Sequence, residues 1–359
     1  MTRRGFLCGA AAFAPFAANL WAAEAGAPLL KIGVMTDTHV GETKESCSRA
    51  RLAYEMFRDM GVDLIANVGD VADHHYPTGY TAYREMVEET FAQVPAGKRP
   101  KELFVYAWHD AYAYKNHPRE AVTKDSPEAF ADMERLIGAT NGPYAEGEVK
   151  GYPYVVIPQL YGVQGVDWRR FDKMLADAVA SHPGKPVFVF AHQPPTGTTR
   201  SGRGITKKRE VLNKYPQAIN ISGHTHGSLR DERAIWQGEF TSVNIGCLQN
   251  WGGWLAGSIP KRIENYGAVL VEVFVDRIVF RRFDMRTIQE QGRCWTIVLH
   301  NPNPFTNAAN RISTPAGDSG VQRYVIEFAK ANADYKYYLL LREGAGGKVR
   351  FEHVKIERI

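Results

Sequence analysis

Short apolar runs alternate with amphipathic segments along most of the chain. Runs such as 31–35, 64–68 and 187–191 are rich in Val, Ile and Phe and are bounded by Gly or polar residues. This pattern is typical of buried strands in a parallel or mixed sheet. Between such runs, apolar residues recur at helical spacing, as in 168–180, where Phe171, Leu175 and Val179 share one face. The alternation predicts an α/β layered domain.

The predicted elements follow this alternation up to about residue 300. Helices are expected over 48–60, 81–93, 127–137 and 168–180, and strands over 31–35, 64–68, 103–107, 152–157, 187–191, 219–221, 234–236, 240–245, 268–274 and 278–283. Residues 301–319, rich in Asn, Pro, Thr and Ser, predict a linker, and three strand candidates follow at 322–328, 335–341 and 349–356. About 40 residues bury little core of their own, so these strands are expected to pack on the main domain or complete a small β layer.

Polar residues of one chemical type follow four of the predicted strands. They are Asp37 and His39, then Asp70, then His192, and finally His224 and His226. The carboxyl ends of strands in open α/β sheets meet along one edge, where ligands bind. The two last histidines are separated by one residue, so on an extended segment both imidazoles point the same way. Carboxylates and imidazoles without thiolate suit Zn, Mn or Fe.

Each of these residues also has a purely structural explanation. Asp37 would cap a turn, Asp70 after Gly69 would form an Asx turn, and His192 before two prolines would be an ordinary loop histidine. His39 or His226 would be a buried, hydrogen-bonded imidazole. Taken one at a time these explanations are sufficient, but their coincidence at four strand ends favours a metal site.

The ordered motifs resemble those of the calcineurin-like metallophosphoesterases. That family has D-x-H, G-D-x-x-D, G-N-H-D or G-N-H-E, an isolated His, and G-H-x-H. This chain has D-T-H at 37–39, G-D-V-A-D at 69–73, A-W-H-D at 107–110, His192 and G-H-T-H at 223–226. All blocks except the third match, in order, over roughly residues 30 to 230. Ordered blocks at strand ends are a far more specific signal than any single block.

The resemblance implies a β-sandwich flanked by helices, here with a small C-terminal β extension, and hydrolysis of phosphomonoesters or phosphodiesters. It implies one or two metal ions, Mn, Fe or Zn, with Asp70 as the bridging ligand. Asp37, His39 and His226 would complete one ion, and His192 and His224 would serve the other. His109 would protonate the leaving oxygen or stabilise the transition state.

The third block departs from the family because Trp108 stands where the family has a metal-ligating Asn. An indole has no acceptor to offer a metal, so the second site is short of a ligand. The site would then be weak or vacant, be completed by water or a neighbouring side chain, or have lost hydrolysis. Asn116 with His117 is a further candidate for a displaced motif. Two alternative functions follow: a metal-binding protein that recognises an anionic ligand without turnover, and an exported binding protein with a structural metal.

The N-terminus predicts export. Arg3 and Arg4 precede Phe-Leu and an alanine-rich apolar stretch, which looks like a twin-arginine signal over residues 1–25. The stretch is interrupted by Pro15 and is too short and weak for a lasting membrane span. We therefore expect a periplasmic or secreted protein, with a metallophosphoesterase domain over 29–300 and an extension over 301–359.

Composition agrees with an enzyme-sized chain: 359 residues, 44% hydrophobic and 23% charged, with a net charge of +5. The longest basic run is 207–209, so no nucleic-acid or membrane surface is evident, whereas a small phosphoester substrate would not be repelled. Signal cleavage would leave Cys47, Cys247 and Cys294, an odd number without C-x-x-C spacing. A disulfide framework is therefore not expected.

Overall fold

The computed structural model describes residues 26–41, 44–72, 78–111, 127–159, 165–199, 204–249, 266–291, 294–299, 335–344 and 348–358. The predicted signal over 1–25, the Asn116–His117 pair and the predicted strand 322–328 lie outside these residues. Within them, no helix has the length and apolar character needed to cross a membrane.

The first sheet is mixed. It contains β1 (Leu30–Met35), β2 (Leu64–Asn67), β3 (Lys101–Phe104), β10 (Gly267–Val273), β11 (Arg277–Asp284), β12 (Gln289–Glu290) and β13 (Trp295–Val298). The order is β12-β11-β10-β1-β2-β3, with β13 also paired to β11. Strands β1, β2 and β3 are parallel, and β10 runs antiparallel to β1. The carboxyl ends of β1 and β2 therefore lie side by side.

The second sheet has a parallel centre and antiparallel edges. It contains β4 (Ala145–Val149), β5 (Tyr152–Val156), β6 (Val187–Phe190), β7 (Ala218–Ser222), β8 (Ile235–Gln237) and β9 (Thr241–Asn244), in the order β4-β5-β6-β7-β9-β8. Strands β5, β6, β7 and β9 are parallel, while β4 and β8 pair antiparallel at the two edges. The ends of β6 and β7 are thus neighbours in this sheet.

The two sheets pack face to face, as strand β6 illustrates. Its side chains alternate because successive residues of a strand point to opposite faces. Phe188 and Phe190 are buried in the same apolar cluster as Val34 and Ala66 of the first sheet, whereas Val187 and Val189 are buried in the cluster on the outer face. Burial of each large apolar side chain contributes about 1.5–3 kcal/mol. The predicted β-sandwich flanked by helices is confirmed.

Helices cover both outer faces. Helices α1 (Lys44–Asp59), α2 (Thr78–Thr90) and α4 (Pro127–Ile137) contribute to the core outside the first sheet, and α5 (Trp168–Ser181) and α6 (Thr206–Leu212) to the core outside the second. A single turn of helix, α3 (Trp108–Ala111), follows β3, and 3₁₀ turns span Ala96–Lys98 and Glu232–Ala234. Helix α5 begins where predicted because Asp167 caps it, accepting from the backbone N–H groups of Arg169 and Arg170.

Three differences from the predicted elements have identifiable physical causes. The ligand-bearing strands belong to two facing sheets rather than to one edge, because an apolar run does not reveal its pairing partners. Helix α6 was not predicted, because its sequence is short and highly charged. Its buried residues are Lys208, Val211 and Leu212. Strand β4 was not predicted either, because it is a largely exposed edge strand with Gly147 between two glutamates.

Two long antiparallel strands lie in the C-terminal region, as the sequence predicts for 335–341 and 349–356. Strand β14 (Tyr335–Gly344) pairs with β15 (Lys348–Arg358), and the register shifts between Leu340 and Leu341. The shift marks an irregularity of the β-bulge kind, which increases local twist.

Candidate metal centre

Six of the predicted site residues come together at the carboxyl ends of four strands. They form two groups, Asp37 with His39 and His226, and Asp70 with His192 and His224, and within each group one potential ligand atom per residue lies within 4.8 Å of the others. Each group combines loops of the first sheet, after β1 or β2, with loops of the second sheet, after β6 or β7. The site therefore spans the interface between the sheets.

The two groups adjoin each other through Asp37 and His192. Asp37 Oδ1 lies 3.0 Å from His226 Nε2 and 3.8 Å from His39 Nε2. The same oxygen lies 3.7 Å from His192 Nε2 in the other group. In turn, His192 Nε2 lies 2.9 Å from Asp70 Oδ2. The two ligand groups are therefore close enough for two neighbouring ions that share a carboxylate ligand.

Five of the six residues adopt a left-handed backbone conformation. Their φ angles are 50° at Asp37, 42° at His39, 52° at Asp70, 68° at His224 and 49° at His226. This conformation costs a non-glycine residue roughly 1–2 kcal/mol, and such strain concentrates at functional sites. The two histidines of G-H-T-H therefore converge through a left-handed turn after β7, and the extended segment expected from their spacing is wrong.

Hydrogen bonds fix which atoms of Asp37 and His192 face the centre. Asp37 Oδ2 accepts from Thr36 Oγ1 at 2.8 Å and from the His224 backbone N–H at 2.9 Å. The other oxygen, Oδ1, is buried and faces the imidazole nitrogens of His226, His192 and His39 at 3.0–3.8 Å. His192 Nδ1 lies 2.8 Å from the Val68 carbonyl oxygen, which leaves Nε2 for the centre. A buried carboxylate oxygen surrounded by imidazole nitrogens fits a cation that all of them bind.

The charges of the site compensate one another. Burial alone would raise the pKa of Asp37, but the nearby imidazoles of His192 and His226 bring it well below its usual range. Burial would lower the pKa of His192, but Asp70 and Asp37 raise it to about 9. Burial and His192 lower the pKa of His224 to about 4. A protonated His192 thus supplies positive charge beside the two carboxylates, and metal binding at this residue would release its proton.

Glycines precede two of the ligands for steric reasons. A Cβ at Gly69, where φ is +98°, would lie 2.6 Å from Ala107 Cβ and 2.9 Å from His192 Nδ1. A Cβ at Gly223 would collide with Thr36 and Asp37. The G-D and G-H pairs of the sequence are therefore needed for close approach of the ligand loops.

The profile of the calcineurin-like phosphoesterase family matches residues 30–228, which contain all these ligands. The chain belongs to this family. It is accordingly a hydrolase at the level of phosphoester chemistry, with buried residue groups suited to divalent metal ions. No curated protein matches the chain in sequence.

Solved structures share the phosphoesterase fold. A dimetal phosphatase from Danio rerio is 13% identical and superposes with a TM-score of 0.50, covering 76% of this chain and 99% of that protein. Purple acid phosphatase PPD1 from yellow lupin (Lupinus luteus) seeds is 11% identical, also with a TM-score of 0.50, covering 81% of this chain and 58% of the lupin chain. At these identities the similarity shows the fold alone.

The atypical third block of this phosphoesterase lies in α3 and the residue before it. Trp108 begins α3 and is partly exposed, with its ring centroid 5.7 Å from that of His109. The His109 ring stands edge-on to His39, with 4.7 Å between centroids, and its backbone N–H donates to Asp70 Oδ1 at 3.0 Å. The third block therefore contacts both ligand groups. In the second group, Asp70, His192 and His224 are the potential His and acidic ligands within the described residues.

Asp110 is a residue whose role was not inferred from the sequence. Its buried carboxylate accepts hydrogen bonds from the backbone N–H groups of Asp70, Val71, Ala72 and Ala107 and from the Tyr80 hydroxyl, at 2.9–3.2 Å. Burial and the neighbouring Asp70 raise its pKa to about 7, against the lowering effect of these donors. The sequence did offer one signal for Asp110, because it occupies the last position of the third block, where the family has Asp or Glu. Asp110 ties the Asp70 loop to the third block.

Asn244 and Lys208 support the second-sheet ligands and were also missed. Asn244, at the end of β9, accepts from Thr225 Oγ1 at 2.8 Å and donates to the Gly223 carbonyl at 2.5 Å, which holds the G-H-T-H turn. The Lys208 side-chain nitrogen is buried, which holds its pKa well below the usual value. It donates to the Ala191 and Gln193 carbonyls, on either side of His192. Asn244 could have been noticed as a polar residue at the end of a buried strand. Nothing in the sequence distinguished Lys208 from its charged neighbours.

Proposed function

We propose that this phosphoesterase hydrolyses small phosphomonoesters or phosphodiesters with one or two transition-metal ions, Mn, Fe or Zn. Asp37, His39 and His226 would hold one ion, and Asp70, His192 and His224 the other. The observation that carries the proposal is the pair of adjoining, largely buried ligand groups, with Asp37 Oδ1 facing imidazole nitrogens of both groups. As in the family that the motifs resemble, Asp70 would be the shared ligand.

The chemistry divides between ions and side chains. When bound, the ions would lower the pKa of a water molecule and neutralise charge on the phosphoryl oxygens. His109, partly exposed beside His39, would donate a proton to the leaving oxygen. General acid catalysis of this kind contributes about 10²–10⁴ in rate. The Asp70 and His192 loops are held by Asp110 and Lys208, so the ligands are positioned before substrate binds.

Trp108 makes the second site atypical. Because indole cannot ligate a metal, we propose that the second ion binds more weakly than the first and that turnover is reduced accordingly. The same substitution favours one alternative function, a catalytically degenerate protein that binds metal and recognises an anionic ligand. An exported binding protein with a structural metal is the remaining alternative.

The test combines metal analysis with hydrolysis of aryl phosphate mono- and diesters by the purified protein. Turnover that is abolished by Asp70→Asn, with His182→Gln as a surface control, would support hydrolysis. His182 pairs with Glu148 on the surface, and Glu148 belongs to the exposed edge strand β4. Absence of turnover in the natural protein, with turnover gained by Trp108→Asn, would instead identify the degenerate protein.

We also propose that the chain is exported through a twin-arginine route to the periplasm or beyond. The support is the Arg3-Arg4-Gly-Phe-Leu sequence and the alanine-rich stretch that follows. This route carries folded proteins, so metal could be loaded before export. Cell fractionation after replacement of both arginines by lysine tests the proposal. Retention in the cytoplasm is expected, and unchanged export would refute it.

A further inference from the structure

The third block offers no oxygen ligand to the second ligand group, because Trp108 stands where the family has Asn. Gln159 lies beside the loop that carries His192. Gln159 follows β5, the strand next to β6, whose end carries His192. Its backbone N–H donates to the Tyr106 carbonyl at 2.8 Å, in the segment leading to Trp108. Gln159 therefore lies between the third block and the His192 loop.

The side-chain amide of Gln159 is buried and only half satisfied. The residue is 4% exposed, and Nε2 donates to Gln193 Oε1, at 3.2 Å, on the residue after His192. The amide oxygen, Oε1, has no hydrogen-bond partner among the described residues. A buried acceptor left in this state costs about 1–3 kcal/mol, so its retention beside a ligand loop indicates a group that it serves.

We infer that Gln159 Oε1 is the oxygen ligand that completes the second metal group, together with Asp70, His192 and His224. The inference rests on the proposed metal binding but not on hydrolysis. A side-chain amide oxygen is the same donor type as that of the family's Asn, one methylene further from the backbone. It is neutral and hard, and so suits Mn, Fe or Zn alongside imidazole and carboxylate. The ligand is thus supplied from β5 rather than from the third block.

The chain offers a graded set of variants. Gln159→Met keeps the side-chain length but removes the oxygen, whereas Gln159→Glu keeps an oxygen and adds charge. Gln237→Met, on edge strand β8, removes a glutamine from an element that carries no candidate ligand. Circular dichroism and thermal unfolding of the metal-free proteins establish that each variant is folded.

Isothermal titration of the metal-free full-length protein with Mn²⁺ or Zn²⁺ measures the two binding events separately. We expect Gln159→Met to weaken the second event by about 10- to 100-fold, the range for lost metal-site interactions, and to leave the first unchanged. Gln159→Glu should restore the second event, and Gln237→Met should change neither. Equal weakening of both events, or no change, would overturn the assignment. Absence of any metal binding by the natural protein would instead overturn the proposed function.

Visible absorption of the Co²⁺-loaded protein provides a readout of coordination. Loss of a ligand changes the number of donors around one ion, and hence the intensity of its d–d bands. We expect Gln159→Met to alter the bands that develop with the second equivalent of Co²⁺. Unaltered bands at both equivalents would show that Gln159 is not a ligand, even if affinity fell for structural reasons.

Discussion

Removal of the Asp110 carboxylate is the most informative perturbation of the scaffold. Asp110→Ala leaves four buried backbone N–H groups and the Tyr80 hydroxyl without their acceptor. Each unsatisfied donor costs about 1–3 kcal/mol, which gives an upper bound of about 5–15 kcal/mol. Entry of water, relaxation of the Asp70 loop and relief of the repulsion between the buried carboxylates of Asp70 and Asp110 reduce this, and losses above about 5 kcal/mol are rare for one substitution. We expect a loss of about 3–5 kcal/mol.

Asp110→Asn should have a smaller effect, because one oxygen is retained. An amide oxygen at the Oδ1 position keeps the donors from Val71, Ala72 and Tyr80. The amide nitrogen then faces the N–H groups of Asp70 and Ala107, which previously donated to Oδ2. Two lost acceptors give an upper bound of about 2–6 kcal/mol on the same scale, and relaxation of the loop should bring the loss below that of Asp110→Ala.

Urea unfolding at pH 8 in the presence of a chelator measures these losses without a contribution from metal. Asp177→Ala is the control, because Asp177 pairs with Lys173 on the surface of α5 and an exposed pair contributes at most about 1 kcal/mol. A loss below about 1 kcal/mol for Asp110→Ala would refute the estimated contribution of these hydrogen bonds to stability. So would an effect of Asp110→Asn as large as that of Asp110→Ala.

Three further predictions concern other buried groups. Lys208→Ala should lower the free energy of unfolding in urea by about 2–4 kcal/mol, because it opens a cavity and removes the donor of two carbonyls. Burial raises the pKa of Tyr54 and Tyr83 above 10; stability should therefore hold below pH 10 and fall above it. The part of the tyrosinate absorbance at 295 nm that is lost when both residues are replaced by Phe should rise only as circular dichroism reports unfolding. Gly223→Ala should abolish metal binding at the Asp37 group in calorimetry, because its Cβ would collide with that carboxylate.

Neighbouring positions provide the controls for these experiments. Lys207 is exposed and pairs with Glu210, so Lys207→Ala should change stability by no more than about 0.5 kcal/mol. A Cβ at Gly97 meets nothing within 4 Å, so Gly97→Ala should leave metal binding intact. If a control variant matched its buried counterpart, or if the tyrosines titrated in the folded protein near pH 10, the burial argument would fail.

The ligand-bearing strands could be predicted because their signal is local. Strands β1, β2, β6 and β7 are short apolar runs that end in Asp or His, and both features are visible in the sequence. How the strands pair is a property of the whole chain, and periodicity carries no information about it. The sequence pattern alone placed the ligands along one edge, whereas the family resemblance supplied the sandwich.

The supporting residues could not be predicted, because their roles depend on distant contacts. Asp110 binds the 70–72 loop, which lies about 40 residues earlier in the chain. Lys208 is one of three consecutive basic residues, and burial separates it from the exposed Lys207. The backbone conformation of the ligands was also inaccessible, since Asp and His after a strand are compatible with extended and with left-handed geometry.

Both ligand groups contain residues from loops of both sheets, so a bound ion would hold the two sheets together at this end. An ion held by Asp37, His39 and His226 would join segments roughly 190 residues apart in the chain. Such a link acts as a reversible counterpart of a disulfide, and closing so long a loop is worth about 5 kcal/mol on the chain-entropy scale. Separation of the sheets at this end would have to wait for the ion to leave. Resistance to proteases and the half-life of the folded protein would then be set by the rate of metal release.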